Sequence, residues 1–481
     1  MLGKLLFSLE QAAGHLDDVL TKYRLVFSAL LAGLLAGAIA VYNVSSGPLH
    51  NLNDIGGWSN RALFIIMCAC VHAAVLMGAA LLSRVRFSRT ALRQVILTAG
   101  FYIMLIAINQ KTYLYVKVMQ PLVRAMDEGF MAGMQAGTYL SAPAKLLVYL
   151  ITRGPVYDMY LLKLFAIGCY LTCALLMTRA ADRHGLGIRA EVLLALCVVL
   201  PQAFMNAACC GTVEVAALML LLAALTLRFG CDKPKGLPAD ICYGAACALC
   251  GACLLALPVM MEKKNWKKQA IVLLGVLLVG CVPAIVGGMG VANAVGSLFG
   301  AVLGVPLYAA GAPGWINLIP RALVEEMAQY APILRHLPQL DLVTNSQMHY
   351  TQEHFEAVMN GFAWAGLAVY AGLYALLSRM EGKTALHRVL ALTLGALIVC
   401  PGVTSGAWLA VDLLCLYAIL AQPSLRLPAC LVLFATAAGS CYPMTEEVLL
   451  PMVYAFVLVL LALLMLLDVV PMNRKEEERH E

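Results

Sequence analysis

Charge is what this sequence has least of. Only 12% of its 481 residues are Asp, Glu, Lys or Arg, against about 25% in soluble domains. Hydrophobic residues make up 62%, and a chain so apolar cannot cover itself with polar surface. That excludes a water-soluble globule. The net charge of +6 is gathered in short loops, where it reports membrane orientation and not a nucleic-acid partner. A cleavable leader is not expected either: residues 1–22 carry Glu10, Asp17 and Asp18 and no clean apolar core before a small-residue site.

Metal-ligand spacing is also missing. His349 and His354 in "HYTQEH" stand five residues apart, and an i, i+5 pair does not share a helix face as a zinc-binding i, i+4 pair does. "CALCGAC" at 247–253 has a C-x2-C-x2-C spacing but no fourth ligand and no polar loop to wrap a cluster. Neither motif is a metal-ligand set, no cofactor is certain, and a role for a divalent metal is left open. Cysteine, by contrast, is plentiful. The 17 cysteines lie mostly inside apolar runs, for example Cys68, Cys169 and Cys173, where the thiol acts as a small hydrophobe. Asn43-Val44-Ser45 matches a glycosylation sequon, a short pattern of little specificity.

The apolar runs imply an all-α, polytopic membrane protein. Residues 3–20 space apolar side chains at helical intervals, as in an amphipathic helix on the membrane surface (1–22). Spanning runs follow at about 25–42, 62–82, 94–109, 159–178, 190–206 and 213–227. They resume near 269–287, 358–378, 387–400, 407–421, 428–441 and 447–469, which makes about 12 in all. Basic residues recur after alternate spans, at Arg84, Arg86, Arg89 and Arg93, at Arg179, Arg183 and Arg189, and at Arg228, Lys233 and Lys235. Both termini are therefore expected in the cytoplasm, including the charged tail 471–481.

Residues 239–261 resist this alternation. They are apolar yet flanked on both sides by basic residues, Lys233 and Lys235 before, Lys263, Lys264, Lys267 and Lys268 after. A re-entrant hairpin turning near Gly251 keeps both clusters on one side, provided its turn is buried in protein. The long segments 110–157 and 290–357 read as outer loops capping the membrane domain. Ionisable residues beside spans mark candidate sites, because their burial in lipid is expensive. Lys163, Glu214 and Asp412 qualify.

Several blocks together resemble bacterial GT-C glycosyltransferases related to the GPI-anchor mannosyltransferases. "PQAFMNAACCGTVEV" is similar to the family block P-x-x-x-x-N-S-A-x-W-G-Q-x-D: it keeps Pro201, Asn206, Ala208 and Gly211, with Cys210 at the Trp and Glu214 at the Asp. "GAACALCGACLLALP" (244–258) follows the family's apolar hairpin, with Cys250 where Lys stands and Ala252 where Gln stands. "PGVTSGAWLAVD" (401–412) resembles P-H-M-H-E-R-Y-F-x-L-A-D, keeping Pro401, an aromatic at Trp408 and Asp412, while Thr404-Ser405-Gly406 replaces His-Glu-Arg. "YLLKLFAIGCYLTCALL" and "LYAAGAPGW" (307–315) also look like family segments. "TYLYVKVMQPL" lacks the family's early Asp, for which Asp127 and Glu128 are the nearest substitutes.

The resemblance covers residues 94–470 and leaves 23–93 as two additional N-terminal spans. It implies a GT-C-like fold in a bacterial plasma membrane and transfer of a sugar from a polyprenyl-phosphate donor to a cell-envelope acceptor on the outer face. Its expected partners are membrane lipids and the lipid-linked sugar. The candidate bases are Asp127, Glu128 and Glu214, because an acceptor hydroxyl needs a carboxylate. Asn206, Lys163, Arg124 and Asp412 are the candidate substrate contacts, since a departing phosphate needs cations or donors. The missing family handles leave a degenerate, inactive relative open. A transporter or flippase is the alternative from another class, for which about 12 spans and a broken helix would also be suited.

Overall fold

A computed structural model describes residues 2–50, 52, 56–83, 85–112, 115–136, 140–154, 156–229, 235–261, 265–303, 346–380, 383–400, 405–440 and 449–469. All regular structure among them is helical. The chain opens with α1 (Leu2–Lys22), α2 (Arg24–Ser45), α3 (Trp58–Leu82) and α4 (Phe87–Ile106). A wide π-helical turn (Tyr115–Met119) and three short helices follow: α5 (Gln120–Glu128), α6 (Phe130–Gln135) and α7 (Ala142–Thr152). Next come α8 (Asp158–Arg183), α9 (Arg189–Val199), α10 (Pro201–Ala203) running into a π-helical turn (Phe204–Cys210), and α11 (Glu214–Phe229). Then α12 (Gly236–Leu249), a 3-10 segment (Gly251–Ala256), α13 (Leu257–Met260), α14 (Trp266–Val286) and α15 (Val291–Leu303). The last helices are α16 (Ser346–Arg379), α17 (Ala385–Val399), α18 (Ser405–Ala421), α19 (Arg426–Ser440) and α20 (Leu449–Leu466).

Five of these, α2, α3, α4, α8 and α14, are long and apolar enough to cross a membrane, and the bent pair α9–α10 makes a sixth if it is one span. Seven further apolar helical stretches among the described residues are shorter, at 10–17 residues. Buried and bare faces are distributed unevenly. The central helix is α8, with buried side chains on every side, whereas α2 and α14 present bare apolar surfaces such as Leu34 (71% exposed) and Ile271 (71%). A face of that kind is stable against lipid and not against water. Helices α2 and α3 pack on α4 and α8, so the N-terminal pair belongs to the same bundle.

Two boundaries differ from the sequence expectation. Arg89 and Arg93 lie inside α4, not in the loop before it. Their charges are tolerated there because carboxylates meet them: Arg93 is buried and bonds both Asp182 (2.7 Å) and Glu191 (2.7 Å), while Arg89 reaches Glu191 (2.8 Å). The other difference is in 290–357, where α15 fills the start and α16 begins at Ser346, so "HYTQEH" is helical. Residues 304–345, with the 307–315 block, lie outside the described residues, as do Pro401, Thr404 and the tail 471–481. The 110–157 segment holds α5, α6 and α7.

The 236–260 segment folds back on itself. Helix α12 breaks at Cys250 and the chain returns through the 3-10 segment and α13. Fourteen helical residues rise about 21 Å, and the returning 3-10 and α13 turns cover about 18 Å, so the two legs nearly match. Arg228 at the end of α11 bonds the Asp240 carboxylate near the start of the segment and the Met260 carbonyl at its end. Helix α14 then runs parallel to α12: Gly244 faces Val276 and, one turn on, Ala248 faces Gly280. A single crossing would have left α12 and α14 antiparallel.

The carbonyls freed at the break are met by protein, as a buried turn requires. Ser141, the N-cap of α7, donates to Ala248 O at 2.6 Å, Tyr243 donates to Cys253 O at 3.2 Å, and Tyr370 of α16 donates to Leu255 O. Asn43 of the sequon is buried, its side chain donating to Ile39 O and accepting from Leu49 N at the end of α2.

Candidate functional site

The site starts from a proline. Between α9 and the turn that follows α10 the chain bends by 47°. Pro201 has no N–H to give the carbonyl four residues back, and that carbonyl, Cys197 O, takes the Tyr170 hydroxyl of α8 instead, at 2.6 Å. The helix then widens into a π-helical turn, a departure often found at functional sites. Asn206 closes it: its carbonyl accepts from Gly211 N and Thr212 N, and its side chain donates to Gln202 O at 2.8 Å.

Gly211 ends the turn with φ +64°, in the left-handed region. A Cβ there would stand 2.9 Å from Lys163 Cγ and 3.3 Å from Lys163 N. Backbone angle and close approach both demand glycine. Three residues later the chain re-enters a helix, and the first residue of α11 is Glu214.

Glu214 is buried, at 5% exposure. Its carboxylate packs on the start of α18, where a Cβ on Gly406 would come within 2.5 Å of Oε2. Cys210, at the end of the π-helical turn, and Cys250, at the hairpin break, both lie within electrostatic reach of it. Glu214 therefore stands where three interrupted elements meet: the turn before α11, the tip of the re-entrant segment and the first turn of α18. Helix N-termini favour negative charge, and Glu214 is the first residue of α11 and packs against the first turn of α18.

The other candidates fall into separate places. Lys163, in the second turn of α8, is fully buried, and its ammonium donates to Ile108 O at 2.9 Å and to Gln110 O. It does not snorkel; it fastens the end of α4 to α8, next to the backbone of Gly211. Asn206 is buried within the turn it closes. Arg124, Asp127 and Glu128 are all exposed on α5. Asp127 neighbours Asp158, the first residue of α8, whose carboxyl also faces buried Tyr115. Asp412 lies deeper in α18, six residues past Gly406, and accepts from Thr436 of α19 at 2.6 Å. Lys163 and Glu214 are thus brought to one neighbourhood on either side of Gly211, while the α5 residues stand over another part of the bundle end.

Some groups escaped the sequence reading. Gln202 was hidden between Pro201 and the Asn206 block, although a polar residue directly after a helix-breaking proline is a usable signal. Asp182 and Glu191 carry no local signal of their own, because the basic residues around them read as orientation charges. Lys145 of α7 is buried and caps α6, donating to Met134 O at 3.2 Å and to Ala136 O; burial lowers its pKa to about 8. Among the described residues no group of three or more His, Cys, Asp or Glu side chains is placed to hold a metal ion.

No protein-family model, no curated protein and no solved structure matches this chain.

Proposed function

We propose that this protein is a divergent GT-C-like membrane glycosyltransferase with about 12 spans, and that its reaction centre lies at Glu214. One observation carries the reading. The three blocks that resemble the family, far apart in sequence, converge on one carboxylate: Glu214 from the first, Cys250 from the second and Gly406 from the third. In the family pattern these positions carry an acid, a lysine and an arginine, which is the grouping that sugar transfer from a phosphate leaving group needs. This chain retains the acid, while Cys250 and Gly406 replace the two cations.

In the proposed reaction Glu214 takes the proton of an acceptor hydroxyl. The hydroxyl oxygen bonds the anomeric carbon of a polyprenyl-phosphate sugar as the bond from that carbon to phosphate oxygen breaks. The polyprenyl phosphate leaves with the bonding electrons, and the N-terminal amides of α18 supply part of the stabilisation the lost cations gave. The short helices α5 to α7 cover the adjoining end of the bundle, with Asp127, Glu128 and Arg124 exposed for acceptor contact.

A transport role has its own support in the bent α9–α10 pair and the re-entrant segment, because discontinuous helices often form substrate sites within membranes. Mass spectrometry of lipid-linked sugars in cells with and without the protein separates the two. Transfer predicts that a glycosylated acceptor disappears and its polyprenyl-phosphate sugar accumulates on deletion, and that Glu214→Gln reproduces this while the protein still inserts. An unchanged profile with the Gln variant removes Glu214 from the chemistry. Altered sidedness of an unchanged set of lipids would favour transport.

A further inference from the structure

Another buried carboxyl, separate from Glu214, has a different environment. Asp412 of α18 is 1% exposed, and only one of its oxygens is bonded: Oδ1 accepts from Thr436 Oγ1 at 2.6 Å. Oδ2 is buried with no hydrogen-bond partner among the described residues. Gln202, the residue after the proline break, stands on the other side of the same hydroxyl. Its Nε2 donates to Thr436 Oγ1 (2.6 Å) and to Leu433 O (2.8 Å), which fixes the amide's orientation, because Leu433 O can only accept. That leaves Gln202 Oε1 buried and equally without a partner.

The two groups that flank one threonine inside the helical bundle thus each keep one orphaned oxygen, one of them on a carboxyl group. Buried polar atoms are nearly always bonded, and a buried charge needs an opposite one. No lysine, arginine or histidine forms an ion pair with Asp412 among the described residues. The neighbouring titratable groups are Tyr170 on α8 and Cys415 on its own helix, neither of which is a cation, and the Tyr170 hydroxyl is already given to Cys197 O. On α17, His387 and Arg388 are engaged at Leu466 O and Met380 O; on α11, Glu214 sits at the level of Gly406. Trp408, one turn before Asp412, has a buried indole N–H that is also unpartnered. A water could bridge these three groups, but it would leave the carboxylate's charge uncompensated.

We propose that Asp412, Gln202 and Thr436 form a site for a small monovalent cation, a sodium ion or a proton, held by Asp412 Oδ2 and Gln202 Oε1. Oxygen donors of this kind suit a hard cation, and one that reaches both orphaned oxygens would give each the partner it lacks. The site spans α10, α18 and α19 at the proline bend, so occupancy would fix the angle between α9 and the turn leading to Glu214. The inference does not depend on which reaction, if any, takes place at Glu214.

The test uses purified full-length protein in detergent and reads the unfolding midpoint from tryptophan fluorescence. Sodium chloride is titrated against choline chloride at constant ionic strength, and pH is then varied in sodium-free buffer. A sodium site predicts a Tm that rises by several degrees with the logarithm of sodium concentration. A proton site predicts no sodium response and a Tm that rises as pH falls. In either case Asp412→Asn abolishes the response. A wild type that responds to neither ion, or no differently from Asp412→Asn, overturns the proposal, and a bridging water would behave in that way. Should Asp412→Asn fail to fold, Gln202→Leu keeps the carboxylate and removes one ligand. It must then move the midpoint of the response at least about tenfold in ion concentration, and an unmoved midpoint is equally fatal.

Discussion

The two ends of the bundle treat charge in opposite ways. At one end Arg89 and Arg93 on α4 interlock with Asp182 and Glu191 on α8 and α9, each cation touching two acids. At the other end, nineteen residues back along α8 and about 28 Å away, Lys163 bonds backbone carbonyls and Glu214 rests against the backbone of Gly406. The first arrangement satisfies its charges with each other and leaves nothing over for a ligand. The second is built from a proline bend, a π-helical turn, a left-handed glycine and a hairpin tip, all of which trade regular hydrogen bonding for access. An end that is fully paired reads as structural; an end assembled from interrupted helices reads as functional.

Breaking the paired end gives the largest expected effect. Arg93→Ala would leave Asp182 and Glu191 with only the partly exposed Arg89, and losing the buried partner from such a network costs about 3–5 kcal/mol. Arg89→Ala, at a side chain 31% exposed, should cost about 1 kcal/mol or less. Unfolding midpoints in detergent measure both, and equal effects would mean that the network is not built around Arg93. At the interrupted end Gly211→Ala should destabilise by about 1–3 kcal/mol, because it forces a side chain into the left-handed region and against Lys163. The same measurement checks it, and a neutral result would mean that this turn is not held as described.

A more gradual effect is a pH dependence in the covering helices. Lys145 has a folded pKa lowered from 10.5 to about 8 by burial. Between those values the unfolded chain holds more protons than the folded one, so stability rises with pH, by at most about 1.4 kcal/mol per pH unit. Below about pH 8 the group is protonated in both states and the dependence vanishes. Hydrogen exchange of α6 and α7 amides, corrected for the intrinsic rate, should show protection growing from pH 8 to pH 10, and Lys145→Met should remove that slope.

Much of the fold was legible in the sequence because its cause is local. Apolar run length sets the helices, and the lysines on both sides of 239–261 indicated a return to the same side. In the fold, Arg228 holds Asp240 and Met260, near the two ends of the segment, together. Helix starts were less legible: Arg89 and Arg93 look like loop residues until Asp182 and Glu191, about ninety residues on, are seen beside them. The site was legible only in part. Glu214 and Asp412 stood out as carboxylates beside apolar runs, but nothing local links Glu214 to Gly406 or Asp412 to Gln202. Those pairings arise from packing between α11 and α18 and between α10, α18 and α19, and a single sequence does not encode them as a pattern.

The most direct test of the account is the sidedness of the re-entrant segment, because the segment's return is what brings Cys250 to Glu214. Short epitopes inserted after Lys235 and after Asn265 would be probed with antibody in sealed membrane vesicles of known orientation. Both epitopes should be reached from the same side, with neither reached from the other. Access from opposite sides would make 236–260 a true crossing, reverse α14 relative to α12 and contradict the convergence on Glu214.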